Sequence, residues 1–96
     1  KNLVIISPSD NDILRFPANL TVEANLNVPE TEIKFWRRSS SGKEANITGP
    51  LTKRQLGQIY YYTLNWSEAE KPNSGSYQIF AQIGETKSSA ITVKIQ

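Results

Sequence analysis

Apolar and polar residues alternate with a period of two along most of this chain, the pattern of strands that bury one face only. Leu20, Val22, Ala24, Leu26 and Val28 alternate with Asn19, Thr21, Glu23, Asn25 and Asn27, which predicts a strand with an almost fully polar outer face. Ile33 and Phe35 alternate with Glu32 and Lys34, and Tyr60, Tyr62, Leu64 and Trp66 share one face opposite Tyr61, Thr63 and Asn65. Tyr77, Ile79, Ala81 and Ile83 form an inner row against Gln78, Phe80 and Gln82. Ile91, Val93 and Ile95 close the chain with Thr92 and Lys94 outward, and a first strand is predicted from Leu3 to Ser7.

Turn-forming residues separate these runs. Ser7-Pro8-Ser9-Asp10-Asn11-Asp12, Pro29, Ser39-Ser40-Ser41-Gly42, Gly49-Pro50, Lys71-Pro72-Asn73-Ser74-Gly75 and Gly84 each interrupt the alternation with residues that favour turns. No stretch of helical periodicity competes, and the one helical element expected is a short turn over residues 51–57. Short strands at this spacing predict an all-β fold, a two-sheet antiparallel sandwich of about seven strands.

Size and composition narrow the class. Ninety-six residues make one domain, and Leu, Ile, Val and Phe supply 24 of them, enough for a packed core. Eleven basic and nine acidic residues leave a net charge of +2, too balanced to point to nucleic acid. No run approaches the ~20 apolar residues that direct membrane insertion requires. With no cysteine there is no disulfide, although small secreted domains often depend on one. That lack suits a cytosolic, bacterial or archaeal protein, and is tolerated outside the cell when the core suffices.

The last third carries a spacing with a known counterpart. Leu64, Trp66, Ala69, Asn73, Gly75, Tyr77 and Ile79 stand at offsets 0, 2, 5, 9, 11, 13 and 15. This frame resembles the passage of immunoglobulin-type sandwiches from strand E, around the E–F corner, into strand F. Antibody-type domains place a cysteine where Ile79 stands. Tyr77 occupies the tyrosine-corner position, which implies a phenol hydroxyl bonded to backbone a few residues upstream. Ser7-Pro8 with Pro17, Ile33-Lys34-Phe35-Trp36, the Tyr62 to Trp66 strand and Gly75-Ser76-Tyr77 are similar to the cysteine-free, bacterial-type modules of secreted and cell-surface proteins. A fibronectin type III likeness is weaker, because the strand around Val22 has no tryptophan. Leu64, Trp66, Gly75, Tyr77 and Ile79 are the structural residues this resemblance implies.

Inward Ile33 and Phe35 send Trp36 outward, because the side-chain period of a strand is two; a bulge would reverse it. Val22 or Ala24 against Ile79 is then expected to fill the space of the missing disulfide. Trp36 and Phe80 become an outward aromatic pair with Lys34, Arg38, Gln78, Gln82 and Lys94 around it. Such a pair is either a contact surface or a cross-strand pair that only stabilises the sheet.

Other candidates are thinner. The chain has no His and no Cys, so the usual base and thiol nucleophile are missing, and Glu68 and Glu70 need not share a cleft. No catalytic site and no cofactor are predicted. Asp10-Asn11-Asp12 offers oxygens of the kind Ca²⁺ takes, but also makes a polar turn, and no metal site is predicted. Three glycosylation sequons begin at Asn19, Asn46 and Asn65. Eight Asn and seventeen Ser or Thr would give one or two such triplets by chance. Arg37, Arg38, Lys43, Lys53 and Arg54, interrupted by Glu44, put positive charge on the connection between the strands at Phe35 and Tyr62, where a solvated loop is expected.

The expectation is therefore a single immunoglobulin-like domain over residues 1–96, excised from a larger extracellular or cell-surface protein. Its role would be adhesion, recognition or spacing, with a protein partner or neighbouring domain and a glycan as the expected contacts. The alternatives are a subunit of a surface layer or filament, joined through a sheet edge, and a carbohydrate-binding accessory module of a secreted hydrolase.

Overall fold

The computed structural model describes residues 2–25 and 32–96, and Leu26, Val28 and Pro29, read above as the end of a strand, lie outside them. Among the described residues there are ten strands: β1 (Asn2–Ser7), β2 (Asp12–Leu14), β3 (Ala18–Asn25), β4 (Ile33–Ser39), β5 (Glu44–Ile47), β6 (Leu51–Leu56), β7 (Ile59–Trp66), β8 (Gly75–Ile83), β9 (Thr86–Lys87) and β10 (Ile91–Ile95). A single 3₁₀ turn, Glu68–Glu70, follows β7.

They form the two-sheet, all-β sandwich that the alternation predicts. One sheet runs β1-β3-β7-β6 and is antiparallel throughout. The other runs β2-β10-β8-β4-β5, with β9 also beside β8, and is antiparallel except for the parallel β2–β10 pair. The chain thus changes sheets between β1, the predicted first strand, and β2, an added strand that follows the predicted turn.

Two more strands arise where the sequence suggested a break. Residues 51–57 form no helical turn. Leu51–Leu56 pairs with β7 along its full length, satisfying a row of β7 backbone groups that would otherwise lie on an edge. Gly57, at φ 62°, opens the two-residue loop that makes this hairpin. Glu44–Ile47 is also a strand, paired with β4.

The last strand is split by a bulge. Lys87 pairs with Gln82 and Ile91 with Ile79, so three residues oppose two. Ser88 fills the gap: its amide donates to the carbonyl of Ala81 at 2.9 Å, and its Oγ accepts the Ala81 amide at 2.9 Å.

The core lies between the sheets and contains the expected inner rows. Trp66, Leu20, Ile79, Val22 and Val93 are the largest fully buried side chains, and Ala24 is 1% exposed. Val22, Ala24 and Ile79 belong to one apolar cluster. Trp66 donates its indole N–H to the carbonyl of Glu70 at 3.2 Å and meets the edge of Phe16, with centroids 5.0 Å apart. Tyr77 lies near the start of β8 and donates its hydroxyl to the carbonyl of Asn73 at 2.8 Å.

Candidate recognition surface

The outer face of the second sheet brings the six candidate contact residues together. Register pairs Lys34 with Gln82, Trp36 with Phe80 and Arg38 with Gln78, so β4 and β8 present them as three adjacent rows. Phe35 is 2% exposed while Trp36 is half-buried, and the indole turns outward.

Phe80 does not stand exposed. It points to the outer face and lies outside the core cluster, yet only 4% of it is accessible. Its neighbours cover it. Trp36 lies near-parallel, with centroids 6.4 Å apart and planes inclined by 15°. The Arg38 guanidinium and the Lys87 ammonium sit 5.2 and 5.5 Å from its ring centroid, within cation–π range. Phe80 therefore supports the surface and Trp36 presents it.

Polar side chains fix this arrangement. Trp36 Nε1 donates to Gln82 Oε1 at 3.1 Å, and Gln82 Nε2 donates to the carbonyl of Gly84 at 2.9 Å. Arg38 donates through Nη1 to Gln78 Oε1 and through Nε to Glu44 Oε2, each at 2.9 Å, and its Nη2 lies 2.8 Å from the same carboxylate. Glu44, Asn46 and Lys87 thus join the face, with Asn46 opposite Trp36. The period-two run Glu44-Ala45-Asn46-Ile47 was the sequence signal for the first two. Two hollows flank the aromatic pair. One, of about 370 Å³, is lined by Glu32, Lys34, Trp36, Gln82 and Gly84. The other, of about 350 Å³, includes Arg38, Ser40, Ser76, Gln78 and Thr92.

The remaining candidates separate. Lys53 and Arg54 lie on strand β6 rather than in a loop, over the rings of Tyr60 and Tyr61 at 5.4 and 5.3 Å. Arg37 lies over Tyr77 at 5.9 Å and Arg38 is ion-paired, so the basic residues are divided between the two sheets. Asp10 Oδ1 accepts the Thr92 amide at 2.7 Å and Asp12 Oδ2 the Ser9 amide at 3.0 Å; both carboxylates serve backbone. No group of three or more His, Cys, Asp or Glu suited to a metal occurs among the described residues. Glu68 and Glu70 are exposed in the 3₁₀ turn. Of the sequon residues, Asn19 and Asn65 stand opposite each other on β3 and β7, and Asn65 Nδ2 donates to Asn19 Oδ1 at 3.0 Å. Asn46 is exposed on the edge strand β5.

No protein-family model matches the chain, and no curated protein matches it.

Proposed function

We propose that the chain is a non-catalytic, immunoglobulin-like recognition module of a cell-surface or secreted protein, acting through the outer face of its six-stranded sheet. The strand order supports the fold assignment. The order β1-β3-β7-β6 opposite β10-β8-β4 corresponds to the A-B-E-D and G-F-C sheets of immunoglobulin-type sandwiches. The Tyr77 to Asn73 bond has the position and partner of a tyrosine corner. A non-catalytic role fits a chain without His or Cys, in which the carboxylates of Asp10 and Asp12 hold backbone amides.

The observation that carries the reading is the fixed, half-buried indole of Trp36, tied to Gln82 and backed by Phe80. A rigid aromatic surrounded by polar side chains is the composition of a binding hot spot, since little side-chain entropy is lost on contact. Assembly through a sheet edge has less support at β6, where Lys53 and Arg54 supply the charge that discourages edge-to-edge pairing.

The experiment is capture by the immobilised domain from purified cell-envelope and matrix fractions, comparing wild type, Trp36→Ala and Tyr61→Ala on the opposite sheet. The reading requires capture to fall at least tenfold for Trp36→Ala and to survive Tyr61→Ala. Equal capture by all three proteins refutes it.

A further inference from the structure

The outer face of the second sheet opens into a hollow at one end. Beyond the Lys34–Gln82 and Ile33–Ile83 pairs the chain continues with Glu32 next to one strand and Gly84 next to the other. At this end lies a hollow of about 370 Å³ walled by Trp36, Gln82, Lys34, Glu32 and Gly84. We propose that it is a subsite for one neutral sugar ring of a glycan. This deepens the preceding proposal and rests on its reading of the face as a recognition surface.

Three features select this ligand. The first is the indole. A fixed aromatic plane with a polar surround matches a pyranose, which has an apolar C–H face and a rim of hydroxyls, and it orders at small entropic cost. The second is the charge pattern. Glu32 and Lys34 are exposed, and neither takes part in the hydrogen bonds or the ion pair described above. A carboxylate only accepts and an ammonium only donates. Neighbouring hydroxyls, each both donor and acceptor, satisfy the two together with charge-assisted bonds. An anionic ligand would meet Glu32 and a cationic one Lys34, so the pair favours an uncharged polyol over either. The third is Gln82. Its Oε1 holds Trp36 and its Nε2 holds the Gly84 carbonyl; it is a positioning residue that sets the angle of the indole. One ring held on one side of the sheet gains strength when several modules or several sugar units engage together.

The two tryptophans make the test direct. Trp66 is 1% exposed with its indole N–H on Glu70, whereas Trp36 borders the hollow, so the ¹⁵N-labelled domain has one indole signal at the site and one in the core. Titration with cellohexaose, xylohexaose, mannohexaose and chitohexaose is expected to move the Trp36 signal with at least one of them and leave Trp66 in place. Glu32→Gln and Lys34→Met, at exposed positions that leave the fold intact, are each expected to weaken that titration by roughly tenfold, the effect of losing one charged hydrogen bond. A silent Trp36 signal across all four sugars, or a titration unchanged in both variants, overturns the proposal. Capture that depends on Trp36 while all four sugars stay silent overturns the sugar and leaves the recognition surface standing; protease-sensitive, periodate-resistant capture then identifies a protein ligand. A Trp36 shift with capture indifferent to Trp36→Ala has the opposite meaning: the subsite stands and the wider recognition reading falls.

Discussion

Ser88 Oγ accepts the backbone amide of Ala81 at 2.9 Å, inside the bulge that divides the last strand. The hydroxyl takes the place of a strand carbonyl. Ser88 is the buried polar side chain among the described residues, and it also donates to the carbonyl of Ser89 at 3.1 Å. Removing the hydroxyl leaves a buried N–H without a partner, and that desolvation cost exceeds the net gain of an ordinary hydrogen bond. Ser88→Ala is expected to destabilise the domain by about 1–3 kcal/mol, read by urea denaturation with an unchanged m-value. A loss below about 0.5 kcal/mol would mean that water or a shifted strand replaces the hydroxyl.

Gly49 makes a second backbone-determined prediction. A Cβ at this position would overlap the carbonyl oxygen of Asn65, while Asn65 donates its amide to the carbonyl of Pro50 at 2.9 Å. The connection from β5 to β6 thus lies directly on the backbone of β7. Gly49→Ala must push the loop away and strain that bond, at an expected cost above about 1 kcal/mol. Thermal unfolding should register this as a drop of at least about 4 °C for a domain of this size. An unshifted midpoint would show that the loop moves freely.

Tyr77→Phe removes only the hydroxyl that reaches Asn73 and keeps the ring buried among its neighbours. The expected loss is about 1 kcal/mol. The measurement that matters is its location: hydrogen exchange should rise at the corner from residue 67 to residue 75 more than in β3 or β10, since local opening follows local contacts. Uniform acceleration would assign Tyr77 to global stability instead.

The two sheets were legible because alternation is enforced by burial. Leu20, Val22, Leu64, Ile79 and Val93 had to share a core, and their period admitted no other register. The hidden parts are those that backbone pairing alone decides. Strand β6 has all six residues exposed, so it carries no apolar alternation to read; β7 and the Gly57 loop create it. The break at Ser88 depends on one side chain replacing one carbonyl, which looks in the sequence like any polar connection. At the candidate site, period two correctly sent Trp36 and Phe80 to the same face. Periodicity reports direction rather than accessibility, and Arg38 and Lys87, whose cationic heads lie over Phe80, come from other strands.

That distinction between direction and accessibility yields the last prediction. Phe80 points away from the core cluster yet is 4% exposed, so its truncation should resemble a core substitution more than a surface one. Phe80→Ala is expected to cost about 2–4 kcal/mol, near the low end of fully buried phenylalanines because the exposed Lys87 side chain can settle into the space. Trp36→Ala, at a half-buried ring, should cost about 1 kcal/mol. The rings lie 6.4 Å apart and near-parallel, so the two losses are not independent. Once Phe80 is gone the indole has lost its backing, and the second truncation removes less. A double-mutant cycle read by urea denaturation should give a coupling of about 0.5–1.5 kcal/mol. Zero coupling would mean that Trp36 is held by Gln82 alone; Gln82→Ala should then release the indole, and Phe80→Ala should not.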